Sequence, residues 1–127
     1  MKEHINVEGM HGTAAYSHAV RIGSILLCSG ITAREPDGSI HAPEDAGEQA
    51  RYCYEKLGRV LQEAGCGFKD LAKITAYRTR FEDGEAVNRV KRDFLVQPLP
   101  ASTGIVVQSL SDPGLLFELE AIAAIPD

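Results

Sequence analysis

The chain has 127 residues, 44% of them hydrophobic and 24% charged, which suits a single domain over residues 1–127 with one apolar core. Its formal net charge of −5 comes from 18 acidic and 13 basic side chains spread along the sequence, a balance that disfavours nucleic acid or anionic lipid as a partner. The three cysteines, Cys28, Cys53 and Cys66, are odd in number and show no CxxC spacing, so neither a disulfide framework nor a zinc site is signalled.

At the amino terminus, MKEHIN holds no apolar run, and no later segment reaches bilayer-spanning length. A cytoplasmic location with no membrane partner is therefore expected. Residues 16–22 and 25–31 read as two strands joined at Gly23-Ser24, the second being the apolar run ILLCSGI, closed by Pro36-Asp37-Gly38. Over residues 45–64 the pattern becomes helical, with Ala50, Cys53, Leu57, Val60, Leu61 and Ala64 on one face. Asp45 and Glu48 form a candidate capping pair and Gly65 a stop.

Residues 71–79 read as a strand, and Asp83 as the cap of a second helix carrying Val87, Val90 and Phe94. Pro98 and Pro100 end that helix. Two further strands follow, residues 104–110 and 115–123, around the turn Ser111-Asp112-Pro113-Gly114. The order predicts an α/β (α+β) fold, a mixed sheet with both helices packed on it. Two helices cover only one sheet face, yet Ile25-Leu26-Leu27 and Ile105-Val106-Val107 place apolar side chains on both. Association with further copies of the chain is expected to cover the other face.

In the last strand Glu118 and Glu120 share one parity with Leu116 and Ile122, while Phe117, Leu119, Ala121 and Ala123 share the other. Spacing alone favours a solvated rim. The sharper alternative puts one glutamate in a subunit interface, where apolar surroundings raise its pKa into the range of a general acid or base. The segment Pro100-Ala101-Ser102-Thr103-Gly104 brings two hydroxyls that either line a ligand site or make local turn bonds. His4, His11, His18 and His41 lack HExxH spacing, and no GxGxxG or GxxxxGK[ST] loop occurs, so neither a metal nor a nucleotide cofactor is expected.

Several segments, in order along the chain, resemble the RidA/YjgF family, often labelled endoribonuclease L-PSP or translation inhibitor. They are Ala15-Tyr16-Ser17-His18-Ala19-Val20, Cys28-Ser29-Gly30, Glu48-Gln49-Ala50, Ala64-Gly65, Ala86-Val87-Asn88, Pro100-Ala101 and Glu118-Leu119-Glu120-Ala121-Ile122-Ala123. The resemblance implies a chorismate-mutase-like fold, with a mixed six-stranded sheet and two helices on one face. It also implies a homotrimer with small-molecule clefts between subunits. Deaminases of the family hydrolyse enamines and imines such as 2-aminoacrylate to a keto acid and ammonia. By this resemblance Glu118 is the glutamate that positions the attacking water, with Tyr16, Ser29, Gly30, Ile31 and Asn88 around the cleft. Ser102 and Thr103 are further candidates for its lining.

One family feature is missing. The pattern Pro-Ala-Arg, whose arginine clamps the substrate carboxylate, reads Pro100-Ala101-Ser102 here, and no Arg or Lys follows Arg92. Truncating one partner of a buried charge pair costs about 2 to 5 kcal/mol, so efficient deamination of simple imino acids is disfavoured. Three readings stay open: Arg34 or Arg78 reaches the cleft, the ligand lacks a carboxylate, or the pocket binds without reacting. The ribonuclease label gains little from an acidic chain with no basic stripe interleaved with aromatics.

Overall fold

The computed structural model describes residues 1–127. Six strands form one sheet: β1 (Lys2–Ile5), β2 (Ala19–Ile22), β3 (Ile25–Thr32), β4 (Leu71–Arg78), β5 (Ala101–Val106) and β6 (Phe117–Ala124). Two helices, α1 (Ala46–Glu63) and α2 (Gly84–Phe94), connect β3 to β4 and β4 to β5. The spatial order is β1-β2-β3-β6-β4-β5, antiparallel except for the β4–β5 pair. A parallel neighbour needs a crossover connection, and α2 supplies it.

The alternation expected of the last strand is present. Phe117, Leu119, Ala121 and Ala123 are buried beneath the helices, while Glu118, Glu120, Ile122 and Ala124 point away. Tyr54 of α1 stacks on Phe94 of α2, 5.4 Å between ring centres, and tilts against Phe117 of β6 at 6.1 Å. Both helices therefore lie on one face. Burying aromatic surface of this size is the main driving force for holding such layers together. The opposite face stays bare in the single chain: Ile22, Ile25, Leu27 and Ile122 form a contiguous patch by strand register, each between 39 and 50% exposed.

Several boundaries differ from the sequence expectation. Strand β1 was not foreseen, since KEHI carries only one buried residue, Ile5, and pairs as an edge along β2. Strand β2 starts at Ala19, because residues 11–16 turn tightly at Gly12 (φ +113°) and leave Tyr16 in the preceding loop. Strand β5 begins at Ala101 and stops at Val106, so Ser102 and Thr103 lie inside a strand, and residues 107–116 form one long connection. Pro100 ends the loop instead of opening a longer one, and no apolar burial is needed to define an edge strand.

The capping expectations divide. The Asp45 side chain accepts from the Glu48 N–H at 3.0 Å, and Gly65 takes φ +78° at the end of α1. Asp83 caps nothing with its side chain. Its carboxylate accepts instead from Arg80 Nε at 2.7 Å, because an adjacent guanidinium is a stronger donor than a helix N–H. Cys28 and Cys53 are buried thiols, both pushed up to about 12 by burial. They serve as small core hydrophobes.

Candidate functional site

The site begins with an irregularity in β3. Cys28 pairs with Ala121 and Ile31 with Leu119, so three steps on β3 match two on β6, and Ser29-Gly30 bulge out of register. A bulge re-aims side chains and commonly sits beside a functional site. Here it brings the Gly30 backbone under Glu118, so closely that a Cβ at position 30 would collide with the carboxylate. The absence of a side chain at position 30 is what lets the Glu118 carboxylate lie this close.

The two glutamates of β6 have different partners. The Tyr77 hydroxyl donates to Glu120, which is thereby engaged. Glu118 is half-buried, and its carboxyl is held above the usual carboxylate range by burial first and by the Glu120 charge second. No hydrogen bond offsets these effects. A carboxyl group at the wall of a cavity and raised in this way is shifted in the direction that suits a general acid or base.

That cavity has a volume of about 340 Å³ and is lined by His11, Tyr16, Ser29, Gly30, Thr32, Arg34, Ser111 and Glu118. Its size suits a small metabolite. Its walls are almost wholly polar, and it opens to the bare side of the sheet. The Ser29 hydroxyl donates to the Ser17 carbonyl at 2.6 Å, which fixes its rotamer and leaves its oxygen free to accept. Burial, then the Glu118 charge, push the Tyr16 hydroxyl up, with Arg34 pulling the other way. Tyr16 is set against His18, whose ring accepts from the Val7 N–H at Nδ1 (3.0 Å) and donates from Nε2 to the His11 carbonyl (2.9 Å). This fixes His18 as a neutral imidazole that anchors the loop and leaves no nitrogen for a ligand.

The guanidinium of the cavity belongs to Arg34. It donates to the Gly38 carbonyl at 2.8 Å and makes a long ion pair of 3.4 Å with Asp112. Arg78 lies elsewhere, donating to the carbonyls of Arg80 and Phe81 under the start of α2. Of the two arginines the sequence left open, only Arg34 shares a cavity with Glu118.

Of the expected residues, Tyr16, Ser29, Gly30 and Glu118 meet in one place. Ile31 contributes to the small recess beneath, but its side chain is 5% exposed in the core. Asn88, Ser102 and Thr103 lie outside the Glu118 cavity of their own chain. Asn88 is exposed on α2 beside a shallow hollow with Arg78 and Val87. Ser102 and Thr103 point to opposite sheet faces, where Lys91 donates to Ser102 at 2.7 Å and Lys73 donates to Thr103. Lys91 thus places an ammonium beside the position where the family pattern has its arginine, a neighbour supplied by α2 that local sequence does not reveal. His11, Thr32 and Ser111 were missed as lining residues, whereas Arg34 was one of the two arginines left open. Only the polar turn around Ser111 carried a signal, and the others depend on how two loops meet across β3.

No group of three or more His, Cys, Asp or Glu residues is placed to hold a metal ion, and no helix is long and apolar enough to cross a membrane. The family model described as endoribonuclease L-PSP matches residues 8–125. Protein mmf2, mitochondrial, of Schizosaccharomyces pombe is 34% identical over 122 residues, 94% of this chain and 95% of that one. The 2-iminobutanoate/2-iminopropanoate deaminase of Rattus norvegicus is 31% identical over 109 residues, 86% of this chain and 79% of that one. Among solved structures, RidA from the Antarctic bacterium Psychrobacter sp. PAMC 21119 superposes with a TM-score of 0.88 at 26% identity, covering 97% of this chain and 99% of that one. With the sheet order, the two helices on one face and matches over nearly the whole length, the chain belongs to the RidA/YjgF family, the endoribonuclease L-PSP family of the matching model.

Proposed function

We propose that the chain hydrolyses a small imine or enamine other than a simple imino acid, with Glu118 as the general acid and base. Water adds across the C=N bond of the imine, and the carbinolamine collapses to a carbonyl compound and ammonia. Glu118 takes a proton from the attacking water and returns it to the departing nitrogen. The observation that carries this reading is the half-buried Glu118 carboxyl, raised above its ordinary range, over Gly30 at the wall of a polar cavity. That some relatives are named imine deaminases supports the reaction class.

The substrate restriction follows from the cation supply. Arg34 already serves Gly38 and Asp112, so it offers a substrate carboxylate less than a free guanidinium would. Slow turnover of 2-iminopropanoate is the consequence. The clefts are completed by a homotrimer in which the bare sheet face is covered and a neighbour's Asn88, Ser102 and Thr103 approach the Glu118 cavity. The protein works in the cytoplasm without a cofactor.

The test is ammonia release over a panel of freshly generated imines and enamines, with and without carboxylates, alongside thermal shift with the corresponding carbonyl products. Turnover fastest on members without an α-carboxylate is expected. Stabilisation by ligands without turnover of any panel member would instead make this a non-catalytic binding or regulatory trimer. RNA cleavage with steep salt dependence would favour the ribonuclease label.

A further inference from the structure

The cavity's only guanidinium is carried by a short hairpin, residues 33–41, that follows β3. It is closed by His41 N–H donating to the Ala33 carbonyl and Glu35 N–H to the Ser39 carbonyl, both at 2.8 Å, with a bridge between Arg34 and Ile40. Three side chains at four-residue spacing on α1, Glu48, Tyr52 and Lys56, receive this hairpin. Lys56 donates to the carbonyls of Thr32 (2.8 Å) and Arg34 (3.0 Å). The Tyr52 hydroxyl donates to Glu35 at 2.7 Å. The His41 ring stacks on Tyr52, 4.1 Å between centres and 12° from parallel, and lies between two carboxylates, Glu35 at 2.8 Å from Nδ1 and Glu48 at 2.7 Å from Nε2.

A neutral imidazole donates from one nitrogen only, and the other would turn a lone pair on a carboxylate oxygen at hydrogen-bond distance. Both contacts are satisfied only by the imidazolium. We propose that protonated His41 is a positioning residue that pins the 33–41 hairpin to α1, holds Arg34 in the Glu118 cavity, and releases both as pH rises. Its consequence for turnover rests on the function proposed above, but the pin itself does not.

The charges around it are consistent. On the hairpin side stand Glu35 and, next to it, Asp37, whose charge acts on Glu35. On α1 stand Glu48, bound by Arg51, which also pairs with Glu55, and Lys56, 5.3 Å above the Tyr52 ring, with the Arg59 charge felt at Tyr52 and Lys56. The Glu48 hydrogen bond raises the His41 pKa, burial opposes it, and Glu35 adds to the rise. Because the folded value lies above the unfolded one, the stabilisation is complete below the ordinary value near 6.5 and is lost as pH climbs through the raised value.

The test is an NMR titration of the full-length protein, reading the His41 ring carbon, the Arg34 Nε–H and the exchange of the Glu35 and His41 amides. The His41 midpoint is expected above 6.5. The Arg34 signal should broaden, and amide exchange should accelerate beyond the ordinary tenfold per pH unit, at that same midpoint. In His41→Gln the Arg34 signal should become independent of pH over this range, and the amide exchange should follow only the ordinary tenfold per pH unit. A midpoint at or below 6.5, or an Arg34 environment that ignores the His41 titration, overturns the pin. For the panel imine hydrolysed fastest, KM should rise at least threefold across the midpoint with kcat held within twofold, and the profile should be flat in His41→Gln. A KM unchanged while the hairpin loosens refutes the positioning role. Absence of any turnover rejects the proposed function and leaves the NMR result to decide the pin.

Discussion

Glu118 and Glu120 lie two residues apart on one strand face and are indistinguishable by spacing, yet the structure separates them. Tyr77 binds Glu120, and the β3 bulge sets Glu118 over the Gly30 backbone at the wall of the cavity with no donor bonded to it. The sequence could reveal the shared parity but not the bulge, because a register shift depends on the partner strand. A carboxyl whose folded pKa is raised costs stability once ionised: the penalty is absent well below the ordinary value of 4.5, grows as pH rises from there, and is complete above the folded value. Glu118→Gln is therefore expected to raise Tm at pH 7 while leaving it unchanged at pH 3, as two melting curves will check. Gly30→Ala should displace the Glu118 carboxylate and lower kcat at least tenfold with a smaller effect on Tm, since the collision is with the end of a flexible side chain. Cys28 and Cys53, pushed up to about 12, should resist alkylation in the folded state.

Among the elements, the strongly periodic ones were legible. The apolar stripe of α1, its Asp45 cap and its Gly65 stop follow from residues close together in sequence, and the structure keeps all of them. Asp45→Ala should cost about 1 kcal/mol for the lost cap, measured by urea unfolding. What the helix pattern concealed is its polar contribution. Gln49 is fully buried and joins the Gly114 carbonyl at 3.0 Å to the Leu116 N–H at 2.8 Å, tying α1 to the long connection that carries Ser111. Lys56, 5% exposed, holds the end of β3. Such side chains break the apolar period that sequence reading relies on, and the partners Gly114, Leu116, Thr32 and Arg34 lie more than twenty residues away. Edge strands β1 and β5 were blurred for the converse reason: with little to bury, they carry little pattern.

For the whole molecule, the sequence argument that two helices leave one sheet face uncovered agrees with the exposure of Ile22, Ile25, Leu27 and Ile122. A patch of this kind is the surface that the proposed homotrimer would cover. Sedimentation is expected to give three times the 13.7 kDa chain mass, and Leu27→Asp should shift the species toward monomer and suppress turnover by opening the clefts. A wild-type monomer folded at micromolar concentration would remove the need for a second copy. Where the sequence reads Pro100-Ala101-Ser102, the cation of the Glu118 cavity is Arg34, and Lys91 stands beside Ser102.

All these scales meet in the assignment of proton transfer to one carboxyl. The most direct measurement is kcat for wild type and Glu118→Gln, side by side at equal oligomeric state, on the panel imine hydrolysed fastest. A loss of at least a hundredfold, within the usual contribution of about 10² to 10⁴ from a general acid–base group, is the predicted result. Equal rates for the two proteins would contradict it.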